Sequence, residues 1–159
     1  MTFASKFPPA PLSAVAGFIN GDRSTNYPKG DDYVNEGVAF ISAADLVNGR
    51  VDYSRARQIS SAAYERLRSG KVQPRDILFC LRGSLGKMAY VQEQESSAIA
   101  SSLVIVRAKE SVDSRYLYYT LSRGQHYCPL SRMKQAFPVD GHHKIPNRSQ
   151  VARKLVSAG

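Results

Sequence analysis

Long hydrophobic runs are missing from this 159-residue sequence. No apolar stretch approaches the ~20 residues that a membrane-spanning helix needs. The N-terminal segment MTFASKFPPAPLSAVAGF has no extended apolar core of the kind a secretion signal carries. The expectation is a cytoplasmic protein with no membrane partner. Cysteine is scarce too: Cys80 and Cys128 alone cannot build a disulfide framework. Internal repeats are absent, and so is any clear cluster of catalytic side chains.

Those gaps remove most enzymatic readings. Gly83-Ser84-Leu85-Gly86-Lys87-Met88 has two residues between its glycines and Met after the Lys. A nucleotide-binding P-loop needs four residues there and a following Ser or Thr for magnesium. Gly83-x-x-Gly86 matches the clamp tetrapeptide of KH domains, but there it joins two helices, whereas both flanks here are strand-like. Asp76 with Glu93 and Glu95 does not form the metal-binding carboxylate set of a nuclease, and Asp76 is better read as the polar start of a strand. His126, Cys128, His142 and His143 are zinc-type ligands at a spacing that matches no standard zinc pattern. Cys80 lies in an apolar run without a neighbouring base, so a Cys80–His126 nucleophile pair is not expected. No catalytic residue, metal or cofactor is expected.

What is present is an excess of positive charge, +9 in all, unevenly spread. Residues 121–159 hold seven basic residues, Arg123, Arg132, Lys134, Lys144, Arg148, Arg153 and Lys154, against the single Asp140. The body of the chain is therefore only mildly basic. Such a balance is compatible with a polyanionic partner without proving one.

Element by element, the pattern is mixed. Residues 1–11 are a Pro-rich, extended lead, and Leu12–Ile19 is either a strand or one or two helical turns. Residues 20–32, NGDRSTNYPKGDD, are crowded with turn formers and read as a long exposed loop. Strands are expected near 37–42, 50–53, 76–82, 88–91 and 98–106, with a reversal at Asn48-Gly49. Helices are expected near 60–69, capped by Ser60 or Ser61 and closed by Gly70, and near 114–123. In the second helix Tyr116, Leu117, Thr120 and Leu121 are spaced to share a face, so Tyr116 is expected to pack, and at least one of Tyr118 and Tyr119 to face water. Ile77–Leu81 reads as a strand buried on both faces. The two glycines that follow make 76–91 a hairpin with a basic, hydroxyl-bearing tip. The fold class is α+β: a twisted mixed sheet with two packed helices over 12–124, then a basic, Pro-containing tail at 125–159.

The order of these pieces resembles a known family. The loop INGDRSTNYPKG is followed by GVAFISAADLVNGRVDY, by the capped helix with KVQPRDILFCLRGSLGKMAYV, and by the pair AIASSLVIVRA and SRYLYYTLSRG. Together they resemble the target recognition domain of type I restriction–modification DNA specificity subunits, in a single-domain or truncated form. The resemblance implies a non-catalytic reader of double-stranded DNA. It also implies assembly with a methyltransferase subunit, through it with a restriction subunit, and with a second recognition domain or a second copy of the chain. The segment after Gly124 departs from the family pattern, which puts methyltransferase docking in question. A fragment that modulates such a complex, or a stand-alone nucleic-acid-binding domain, remains the alternative. The residues expected to touch DNA are Arg23, Ser24, Asn26 and Lys29 in the long loop, and Arg82, Ser84 and Lys87 at the hairpin tip. These side-chain types reach phosphates and base edges.

Overall fold

The computed structural model describes residues 11–84, 86–92 and 95–124. The proposed N-terminal lead, the basic tail and the His126/Cys128/His142/His143 set lie outside the described residues, apart from Pro11. The α+β class expected from the sequence is observed. One helical turn, α1 (Leu12–Val15), leads directly into β1 (Ala16–Asn20), so both readings of that apolar segment are realised in succession. The strands that follow are β2 (Tyr33–Val34), β3 (Val38–Ile41), β4 (Leu46–Val47), β5 (Arg50–Val51) and β6 (Arg57–Ile59). After α2 (Ser61–Arg66) come β7 (Ile77–Cys80), β8 (Met88–Tyr90), β9 (Ser97–Ile99), β10 (Leu103–Ala108) and α3 (Ser114–Gly124).

The strands divide into two sheets and a ribbon. The first sheet has the order β1-β10-β7-β8 and is antiparallel throughout. The second has the order β2-β6-β3-β9, with β3 and β9 parallel. β4 and β5 form a short ribbon across Asn48-Gly49. Its tip reaches the first sheet, where Gly49 O accepts the Tyr90 N–H at 2.9 Å.

Alternation along β7 explains its unbroken apolar sequence. Leu78 and Cys80 point into a core shared with Ile41, Leu46, Val51, Val72 and Ile99. Ile77, Phe79 and Leu81 point the other way, into a core closed by Leu117 of α3 and flanked by Leu12 and Val15. A strand with both faces covered needs apolar residues at every position. Burying one Leu- or Ile-sized side chain is worth ~1.5–3 kcal/mol. A third cluster under α2 joins Phe40, Ile59, Ala63, Leu67 and Ala98 on the outer face of the second sheet. Ser60 caps α2 by accepting the Ala63 N–H at 3.2 Å. The helix is shorter than expected, with Leu67 already extended.

Two expectations are corrected. The strand at 98–106 is two strands: the chain leaves β9, turns through Ala100-Ser101-Ser102, and enters β10 in the other sheet. Tyr116 does not pack; it is 71% exposed and Tyr119 62%, while Leu117 is buried and Tyr118 rests against the Tyr90 ring at 5.8 Å. Asp113 Oδ1 accepts the Tyr116 N–H at 2.7 Å and fixes the phase of α3 so that Leu117 and Leu121 face inward.

Asp76 is structural. It is 1% exposed, and its carboxylate receives Arg107 Nε at 2.7 Å and Nη2 at 2.8 Å, with the Gln73 N–H as a third donor at 2.7 Å. The pair joins the start of β7 to the end of β10. Replacing Arg107 leaves a buried carboxylate with one backbone donor, which is costly. Arg107→Met is expected to destabilise the fold by about 3 kcal/mol or more, read from the urea midpoint. An unchanged midpoint would contradict this role.

Candidate nucleic-acid interface

Strand direction brings the two expected contact segments to one end of the first sheet. β1 runs toward Asn20 and β7 toward Cys80, while β8 begins at Met88 and β10 at Leu103; the registers Asn20↔Val104, Leu103↔Cys80 and Phe79↔Met88 align these ends. The loop after β1, the tip between β7 and β8, and the turn before β10 therefore emerge side by side. With strands ~4.8 Å apart, this end is ~14 Å wide, comparable to the ~12 Å major groove of B-DNA.

The Ser101-Ser102 turn sits between the other two. Arg23 Nη2 donates to Ser101 O at 3.0 Å, and the Leu81 N–H donates to Ser102 O at 3.0 Å. Gly21 makes the close approach possible. A Cβ there would stand 2.7 Å from Ala100 O and 2.8 Å from Ile99 O, so only glycine lets the loop lie against this turn.

The start of the long loop is built inward, against the expectation of a loop exposed along its whole length. Asp22 is 6% exposed and accepts the Ser24 N–H at 2.7 Å and the Arg68 N–H at 2.8 Å. Burial pushes its carboxyl up, but the Ser24 hydroxyl and the Arg68 and Ser24 N–H groups outweigh this and hold it below the ordinary value. Ser69 Oγ donates to Asn20 O at 2.7 Å, tying the same two segments a second time. Further on, Tyr27 packs edge-on against Phe40 at 5.5 Å and Pro28 is buried, so this part of the loop is scaffold.

At the tip, Cys80 closes the hairpin. Its N–H donates to Lys87 O at 2.9 Å and its thiol to Arg82 O at 3.0 Å. Burial pushes the thiol pKa up, which suits a core residue and not a nucleophile. Gly83 and Gly86 have φ of 83° and 84°, the values that reverse the chain at this position.

Of the seven residues expected to touch DNA, Arg23, Ser24, Arg82, Ser84 and Lys87 lie exposed in the connections at this end. Asn26 is half-buried, and its N–H donates to Ser24 Oγ at 3.2 Å, so the serine hydroxyl also shapes the loop. Lys29 stands apart, where the loop turns toward β2. Its N–H donates to Asp32 Oδ2 at 2.9 Å, and Asp32 pairs with Arg66 of α2 at 2.8 Å. The Arg66 guanidinium and the Lys29 N–H hold the Asp32 carboxyl below its usual value. Sequence reasoning missed Arg68, exposed beside Asp22, and the half-exposed Ser101 and Ser102. Their signal was slight: a basic residue before the closing Gly70, and two serines interrupting an apolar run. Among the described residues no set of His, Cys, Asp and Glu could hold a metal ion, and no helix is long and apolar enough to cross a membrane.

No family model matches the sequence. The chain is 31% identical over 74 residues to the type I restriction enzyme EcoBI specificity subunit of Escherichia coli, a match covering 46% of this chain and 15% of that protein. Its fold is similar to the HsdS subunit of Thermoanaerobacter tengcongensis, with a TM-score of 0.63 at 18% identity over 99% of this chain and 38% of that one. A chain from a structure of the assembly and conformational transition of the type I R-M system gives 0.61 at 18% identity, over 82% of this chain and 32% of that one. The chain thus has the fold of type I specificity subunits, and spans well under half the length of these relatives. The resemblance to their target recognition domain, read from the order of motifs, is borne out.

The buried Asp22 yields a stability prediction. Asn in its place offers one acceptor and leaves either the Ser24 or the Arg68 N–H unpaired, a loss of about 1–3 kcal/mol. Because folding lowers the pKa of Asp22, its contribution is complete above the unfolded value of ~3.9 and fades as pH falls through the folded value. Asp22→Asn should therefore unfold at lower urea than the parent at pH 7, with the gap narrowing below about pH 4. A gap independent of pH would contradict the assignment.

Proposed function

We propose that this chain reads double-stranded DNA as the recognition element of a type I restriction–modification system, without catalysis of its own. Its expected partners are the methyltransferase subunit, and through it the restriction subunit. The observation that carries this reading is the convergence of Arg23, Arg82, Ser84 and Lys87 at one end of the first sheet, around the Ser101-Ser102 turn. Three connections of a rigid sheet present cationic and hydroxyl groups across a width that a DNA groove accommodates. The similarity to specificity subunits supports the same reading. Phosphate contacts from the tip fix register, and polar groups of the long loop meet base edges.

Binding to duplex DNA across a range of salt concentrations tests it. Lys87→Ala is expected to lower affinity for all sequences about equally and to reduce the slope of log K against log salt by about 0.9, the loss of one phosphate contact. Arg75→Gly removes the same charge from the exposed turn before β7, at the opposite end of that strand, and is expected to change neither. Equal effects of the two variants, or no duplex binding by the parent with the methyltransferase subunit present, would overturn the reading.

A further inference from the structure

We infer that Arg23 reads a guanine base, whereas the cationic residues of the hairpin tip contact phosphate; this division of labour rests on the DNA-reading function proposed above. Every element around Arg23 is fixed. Gly21 is pressed against the Ala100 and Ile99 carbonyls, and Asp22 is buried with its carboxylate bound to the Ser24 and Arg68 N–H groups. The backbone on both sides of Arg23 is therefore anchored to the junction between the two sheets. The side chain is anchored as well, through Nη2 on Ser101 O at 3.0 Å, although the residue is exposed.

An exposed arginine ordinarily loses much rotamer freedom when it is immobilised. Here part of that ordering is built into the free protein, which favours a bidentate, direction-dependent contact over a diffuse electrostatic one. The planar guanidinium fork matches guanine O6 and N7 in the major groove. The tip differs in kind. Lys87 is a point charge without a fork, and Arg82 and Ser84 flank Gly83, where an added Cβ would meet nothing within 4 Å. Open space beside the turn glycine lets a sugar–phosphate backbone approach the tip, and that contact needs no fixed hydrogen-bond direction.

Selection from a random duplex library, with the methyltransferase subunit present, separates these roles. The parent is expected to enrich a sequence containing a fixed guanine. Arg23→Lys keeps the charge and removes the fork. It should lose preference at that one position and bind the parent's selected site about 5- to 150-fold more weakly, a loss much larger than the one for unrelated duplex. Arg23→Ala should show the same relaxed position. Variants that enrich the parent's sequence with the same guanine, or that lose affinity equally for every sequence, would overturn the inference while leaving the proposed function standing. A parent that enriches nothing would overturn both.

Discussion

The passage of the chain from one sheet to the other at Ala100-Ser101-Ser102 is the constraint on which the rest depends. The Ala100 N–H donates to Ile41 O, the Leu103 N–H to Ala100 O, and the Leu81 N–H to Ser102 O, at 2.8, 3.0 and 3.0 Å. These bonds lock the end of β9, the start of β10 and the end of β7 into one frame. Backbone groups at such a crossing cannot stay unpaired inside the fold, because a buried donor without a partner costs about as much as a hydrogen bond contributes. Once they are paired, the loop after β1 must lie where Gly21 and Arg23 reach the same turn. A surface of three adjacent connections follows from the topology of the two sheets.

Electrostatics divides the same way. The buried charges serve architecture: Asp76 with Arg107 joins β7 to β10, and Asp22 joins the long loop to the segment after α2. The exposed cations lie on the connections: Arg23 and Arg68 on the two segments that Asp22 ties together, and Arg82 and Lys87 on the tip at the far end of β7 from Asp76. A carboxylate that accepts several N–H groups at the base of a loop fixes the loop's shape and leaves its outer face for other contacts.

Much of the scaffold was legible in the sequence. Ile77–Leu81 announced a doubly covered strand through its unbroken apolar run, and Gly83 and Gly86 announced the hairpin. The break inside AIASSLVIV was not legible, because Ala and Ser fit an extended chain as well as a turn and only tertiary pairing with Ile41 and Leu81 decides between them. β2 and β6 are two and three residues long, below the length at which alternation can be recognised. In α3, Tyr116 with Thr120 and Leu117 with Leu121 are both spaced four apart, on stripes about 100° from each other. The larger buried area of the leucine stripe against β8 and β10 settled the competition, leaving Tyr116 and Tyr119 outside. As for the surface itself, the sequence indicated the loop and the tip separately. Their adjacency, with Ser101-Ser102 between them, comes from long-range register that composition does not encode.

If one end of the first sheet faces DNA, backbone hydrogen exchange with and without bound duplex registers that contact. Bound duplex is expected to slow exchange in residues 21–26, 82–84, 86–87 and 101–102, with the ribbon of β4 and β5 and the exposed face of α3 unchanged. Slowed exchange confined to α3 or the ribbon, with the three connections unaffected, would contradict it.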